Sequence, residues 1–291
     1  MLPNFLVIGA QKAGTTWLDR NLRVHSGIWL PPEKEIHYFD LPPIPFVLCA
    51  FAPNRGDRHW VIRRIGAAYR KAKAQPQHAA WYRRCYLQPR TDHWYASLFS
   101  PGDGQLAGEV APQYAPLPER RIAAIHRLLP TIKIIYLLRN PIERMWSQVA
   151  MYHSERFGFQ GVQAVDEQTL LRFLQQSKHL RHSQYVTNLQ NWARHYSPEQ
   201  MCIRFFEEIR DSPETLLKTI FAFLGVDRAD RHLSGLASQK IFARDYPSLP
   251  DQIARELARL LIGDIEALHR RFDNPYTADW LASAHRYLGT A

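Results

Sequence analysis

Phe5–Leu18 reads FLVIGAQKAGTTWL, and this stretch decides the fold. Residues 4 to 9 (NFLVIG) form an apolar run of strand length. A glycine-containing turn follows, and the spacing predicts a helix from about Thr15 to His25 with Ser26-Gly27 as its stop. Gly9 and Gly14 have the separation of the phosphate loop G-x-x-x-x-G-K-[ST], and Thr16 falls where its Ser/Thr belongs. The lysine position, however, is Thr15. The loop's lysine, Lys12, lies two residues before the second glycine, inside the turn. Backbone amides of residues 13 to 17, at the positive end of a helix, still predict a site for one phosphate. A triphosphate with its metal fits less well.

Two further runs extend the pattern. TIKIIYLL at 131 to 138 has strand character and leads through Arg139-Asn140-Pro141 into a helical stretch from about Ile142 to His153. A nucleotide triphosphatase wants an acidic magnesium ligand at the end of such a strand. Arg139 stands there instead and suits a second anion. QMCIRFF at 200 to 206 reads as another core strand, followed by a helix from about Ser212 that ends at Gly225. Strands separated by helices imply an α/β, P-loop-like three-layer fold with a central parallel sheet flanked by helices. A further helix is expected from about Leu249 to Phe272; the tail after Asn274-Pro275 carries no signal.

The 291 residues, 46% of them hydrophobic, are read as one domain over 1–291. No run of 18 apolar residues offers a membrane span, so the chain is expected to start at Met1 and to work in the cytoplasm. Cys49, Cys85 and Cys202 are widely spaced without a CxxC, which predicts buried free thiols and no zinc site. Charge is uneven. Between Arg55 and Arg90 ten basic residues stand against Asp57 alone, so this segment carries +9 of the chain's +10. Such a field favours an anionic partner or is a solvated face with none. The proline- and arginine-rich segment 41–92 reads as an insertion on the core. It contains one amphipathic helix, HWVIRRIGAAYRKAKA, with Val61, Ile65, Ala68 and Ala72 on one side.

With two anion sites expected on the ends of core strands, QKAGTTWL and LLRNPIERMWS together resemble the loops of sulfotransferases that use 3′-phosphoadenosine 5′-phosphosulfate (PAPS). The first resembles that family's 5′-phosphosulfate loop, and the second its 3′-phosphate motif, with Arg139 and Ser147 eight residues apart. PEKEIHYFD at 32 to 40 is similar to a block of the heparan-sulfate-type (N-/3-O-) enzymes. GEVAPQY at 108 to 114, SQYVTNLQNW at 183 to 192 and FARDYP at 242 to 247 follow in the family's order. The resemblance spans the chain except about 41 to 92 and suggests a bacterial-type soluble member.

The resemblance implies residue roles. Glu35 is the expected base, the alternative being a surface salt bridge with Lys34; His37, on the same side two residues later if the segment is extended, assists it, orients the acceptor or supports the base from behind. Lys12 contacts the bridging oxygen and the 5′-phosphate, and Ala13, Gly14, Thr15, Thr16 and Trp17 complete the loop. Arg139 and Ser147 hold the 3′-phosphate, and Arg244 closes over it, although Phe242 and Ala243 replace the family's usual lysine and glycine. No metal is implied. Tyr185 reads as core. Heparan-type enzymes often carry lysine after the glutamate of GE-x-x-P, where this chain has Val110, so the acceptor is left as an anionic or hydroxylated molecule, free or carrier-bound. Arg63, Arg64, Arg70 and Lys71 of the insertion are expected to recognise it. A P-loop small-molecule kinase or NTPase remains the alternative, and a nucleic-acid-binding protein would leave Glu35 without a purpose.

Overall fold

The computed structural model describes residues 1–51, 58–157, 165–227 and 248–290. Its centre is a sheet of β1 (Phe5–Gly9), β2 (Ile28–Trp29), β3 (Leu106–Val110), β4 (Lys133–Leu138) and β5 (Met201–Phe205), ordered β2-β3-β1-β4-β5. Each neighbouring pair is parallel. Helix α1 (Thr15–Val24) follows β1. Helices α2 (Arg58–Ala74), α3 (Ala79–Leu87) and α4 (Asp92–Ser97) lie between β2 and β3, and α5 (Glu119–Leu128) leads to β4. Then come α6 (Pro141–Phe157), α7 (Glu167–Leu174), α8 (Ser177–Leu180) and α9 (Tyr185–Ala193) before β5. Helices α10 (Glu208–Asp211), α11 (Pro213–Leu224), α12 (Asp251–Phe272) and α13 (Pro275–Leu288) follow it.

Every residue of β1 is buried, so both faces of the sheet are covered, as its uninterrupted apolar run requires. Phe5 lies across Gly108 of β3; a Cβ there would sit 2.0 Å from the Phe5 ring, which makes that glycine a packing necessity. The chain leaves β1 toward β2 at one edge and leaves β4 toward β5 at the other. Because β1 and β4 are neighbours, their carboxyl ends form the topological switch point, where open α/β sheets bind ligands.

The three strands and the helices expected from sequence are present with small shifts of boundary. Helix α1 stops at His25, whose ring accepts from the Gly27 amide (3.0 Å) and pairs with the Asp227 carbonyl (2.8 Å). Strands β2 and β3 and helices α3 to α5, α7 to α10 and α13 lie outside the strand and helix readings. In α13, Asn274-Pro275 starts a helix instead of ending one: Asn274 accepts from the Thr277 amide (3.0 Å), and Pro275 occupies the first turn, where its missing N–H costs nothing. The insertion forms the expected amphipathic helix as α2. Its Val61 and Ala68 are buried and Ile65 and Ala72 half-buried, in one hydrophobic cluster with the sheet. Among the described residues no helix is long and apolar enough to cross a membrane, and the three cysteines are buried free thiols.

Candidate active site

The loop between β1 and α1 ends at Gly14, which has φ 83° and caps α1 without any side-chain cap. A Cβ at Gly14 would meet Ile209 Cδ1 at 2.3 Å and Phe206 at 3.1 Å, so both conformation and space demand glycine. The Ala13 amide donates to the Ala10 carbonyl (3.1 Å) and is used by the turn itself. The anion cradle therefore starts at Gly14, one residue later than expected. Ala13, Thr15 and Trp17 are buried, and Thr16 is half-buried.

Two guanidinium groups tie this loop to the end of β4. Arg139 donates to the Lys12 carbonyl (3.1 Å), and Arg144 of α6 donates to the neighbouring Gln11 carbonyl (3.4 Å). Arg139 also pairs with Glu143 (3.2 Å) and lies over the Phe206 ring at 4.5 Å, while its buried Nε has no hydrogen-bond partner. Arg144 is fully buried. It is held by Ser183 Oγ (2.6 Å), Gln148 Oε1 (3.0 Å) and the His179 carbonyl (3.3 Å), with no carboxylate among these partners. Burial lowers its pKa to about 10 and leaves it charged. Two cations thus stand behind the loop, which suits a ligand bringing negative charge. Ser147 lies on the buried side of α6. Tyr185 is fully buried, and its hydroxyl accepts from the Arg139 amide (3.4 Å). Arg244 lies outside the described residues.

The second half of the site is the irregular loop after β2. Glu35 and His37 do not alternate along an extended segment. Both adopt left-handed backbone, with φ 62° and 60°, so the expected strand geometry is wrong even though the side chains meet. His37 Nε2 stands 3.6 Å from Glu35 Oε2, too far for a hydrogen bond, and its Nδ1 pairs with Asp40 Oδ2 at 2.7 Å. Burial pushes the Asp40 pKa up, but His37 and Arg90 outweigh it and the pKa is lowered. The Asp40 carboxylate therefore requires the proton on Nδ1 and leaves Nε2 facing Glu35. Lys34 joins the two halves: its Nζ donates to Thr16 Oγ1 (2.8 Å) and lies 3.6 Å from Glu35 Oε1. Four described non-glycine residues have positive φ, and three of them are Lys12 (72°), Glu35 and His37. Each costs about 1–3 kcal/mol, and such strain gathers at functional sites.

Long-range side chains hold that strained loop. Glu109 of β3, fully buried, accepts from the Ile36 amide (3.0 Å), Tyr114 (2.9 Å) and Tyr95 (2.6 Å); burial raises its pKa to about 7. Arg90, also buried, donates to the Ile36 (3.2 Å) and His37 carbonyls and to Pro42 (3.3 Å). The Glu35 amide donates to the Val110 carbonyl (2.9 Å), while the Val110 side chain is in the core. From the insertion, Arg64 donates to the Lys34 and Glu35 carbonyls, and Lys71 pairs with Glu33 (3.2 Å). Two of the four cations expected to meet the acceptor are thus engaged inward, whereas Arg63 and Arg70 are exposed. The sequence presents Lys34 only as a surface ion-pair partner of Glu35 and assigns no site role to Asp40, Arg90 or Arg144; Lys34 and Asp40 lie in the quoted PEKEIHYFD block and Arg144 in LLRNPIERMWS.

A model of the sulfotransferase family matches residues 3–230. The chain belongs to the sulfotransferase family. It is 29% identical over 238 residues to the human bifunctional heparan sulfate N-deacetylase/N-sulfotransferase 2, covering 77% of this chain and 22% of that protein. It is 26% identical over 233 residues to the mouse heparan sulfate glucosamine 3-O-sulfotransferase 6, covering 79% and 55%. The chain thus spans about a fifth and about half of these two relatives. A solved sulfotransferase from Alicyclobacillus acidocaldarius shares the fold, with TM-score 0.63 and 23% identity over 96% of this chain and 99% of that one. The family membership bears out the sulfotransferase resemblance, the similarity to these two relatives its heparan-type part, and the parallel sheet the P-loop-like fold.

Proposed function

We propose that the chain transfers the sulfuryl group of PAPS to a hydroxyl or amine of a carbohydrate or small-metabolite acceptor. The observation that carries this reading is Lys34, whose single ammonium spans Thr16 in the phosphate loop and Glu35 in the catalytic loop. A base therefore stands beside an anion cradle. The residues fit the nucleotide: the first turn of α1 has no side-chain cap, and the buried Arg139 Nε lacks a partner. When bound, PAPS supplies the activated sulfur and a phosphate leaving group.

In this reading the amides of Gly14 to Trp17 and the Thr15 and Thr16 hydroxyls hold the 5′-phosphate, and Arg139 and Ser147 the 3′-phosphate. Arg244 keeps its proposed part there. The acceptor lone pair forms the bond to sulfur, the bond from sulfur to the 5′-phosphate oxygen breaks with its electron pair, and the acceptor proton passes to Glu35. Lys12 meets the charge that grows on the leaving oxygen. His37, fixed by Asp40, turns its buried Nε2 toward Glu35 Oε2 at 3.6 Å and supports the base from behind. Arg63 and Arg70, exposed on the same helix, are positioned to meet an anionic acceptor or carrier. Three unpaired buried thiols fit a reducing, cytoplasmic setting.

Incubating the protein with PAPS and a panel of acceptors, and reading a mass gain of one sulfuryl group, tests the reaction. Glu35→Gln is expected to lower turnover about 10²- to 10⁴-fold with PAP, the desulfated product, bound as before. Undiminished turnover would remove Glu35 as the base.

A further inference from the structure

The insertion is attached to the catalytic loop more closely than an acceptor wall needs to be. Arg64 of α2 donates from Nη2 to the Lys34 carbonyl (2.9 Å) and to the Glu35 carbonyl, which flank the peptide carrying the base. Its guanidinium also approaches Glu33 (3.9 Å) and lies over the rings of Trp60 (5.5 Å) and Phe46 (5.8 Å), both within the insertion. Trp60 in turn packs edge-on against His37, with centroids 5.0 Å apart. One turn of α2 therefore touches the base through Arg64 and its histidine neighbour through Trp60.

That attachment acts on backbone that cannot hold itself. Glu35 and His37 are both left-handed, without glycine's freedom, and left-handed backbone of this kind persists only where its surroundings over-determine it. Three side chains do so here, Glu109 and Arg90 buried and Arg64 half-buried. Glu109 holds the Ile36 amide and Arg90 the Ile36 and His37 carbonyls, but of these three only Arg64 reaches the carbonyls of Lys34 and Glu35. We propose that Arg64 is a positioning residue: through those two carbonyls the basic insertion sets the direction of the Glu35 carboxylate, so the insertion serves catalysis as well as any acceptor. This inference rests on the reading of Glu35 as the base. It also separates the cations of α2 by task, since Arg64 points inward where Arg63 and Arg70 face out.

The test uses the full chain and water as the acceptor, so that no acceptor need be known: release of PAP from PAPS is timed, PAP affinity is measured by calorimetry, and amide exchange is followed over residues 31–40. Arg64→Gln is expected to slow release about 10- to 100-fold, the scale of a misplaced reacting group. Exchange should rise in 31–40 alone, with PAP affinity and exchange of the 9–18 loop unchanged. Arg64→Lys, which can reach one carbonyl but not fork to two, should fall between. Wild-type release and exchange in Arg64→Gln would overturn the proposal. So would a loss of PAP affinity with raised exchange across the whole chain, which would make Arg64 a general support of the fold. Glu35→Gln is run beside it. If that variant keeps wild-type release the base reading fails, while the exchange in 31–40 still reports whether Arg64 holds the loop.

Discussion

The two halves of the site are built by opposite means. The loop after β1 is set by regular elements: a buried strand delivers it, the N-terminus of α1 follows it, and the adjacent strand β4 brings Arg139 to within 3.1 Å of the Lys12 carbonyl. The loop after the two-residue strand β2, which carries the proposed base, has one backbone bond to the sheet, from the Glu35 amide to the Val110 carbonyl (2.9 Å). Its backbone is fixed by Glu109, Arg90 and Arg64, side chains drawn from 29 to 73 residues away in sequence. Position comes from topology in the first half and from buried polar side chains in the second.

The contrast predicts different failures. In the phosphate loop a change should alter chemistry or nucleotide affinity and spare the fold. Lys12→Ala is expected to lower turnover about 10²- to 10³-fold, the effect of removing one preformed donor from a developing charge, with PAP affinity changed far less. Measured turnover and calorimetric affinity check this, and an equal loss in both would mean that Lys12 serves binding alone. In the catalytic loop a change should reach stability and its pH dependence. Burial raises the Glu109 pKa from 4.5 to about 7, so the native state holds this proton longer than the unfolded chain. The associated stability is complete below about pH 4.5 and is lost as pH rises through about 7, on the order of 3 kcal/mol in all. Glu109→Gln should flatten that part of the denaturation midpoint plotted against pH. Parallel curves for variant and wild type would show that Glu109 does not titrate there.

The same difference explains what the sequence disclosed. The 5–18 stretch and the 131–138 strand with Arg139 at its end were legible, because period, length and glycine spacing are local properties. Glu35, His37 and Asp40 were visible as a block but not as a geometry. Two left-handed residues side by side with buried Ile36 have no signature without glycine, and the partners that permit them lie far away in the chain. Arg64 was misread for the same reason: ten basic residues in one segment look like an outward field, and only packing shows that Arg64 and Lys71 turn toward Glu33. Strand β2 is too short for any periodicity, and α13 is hidden behind an Asn-Pro pair that reads as a turn signal although Pro also suits the first turn of a helix.

The proposed reaction requires that two separate phosphates, at the ends of β1 and β4, be recognised without magnesium. Calorimetry with PAP, 5′-AMP and ATP, with and without magnesium, for wild type and Arg139→Ala, tests it most directly. Metal-independent PAP binding is expected, weakening about 10- to 100-fold in Arg139→Ala, as for loss of a charged hydrogen-bonding partner, while the weaker binding of 5′-AMP hardly changes. Magnesium-dependent ATP binding with no affinity for PAP would contradict it.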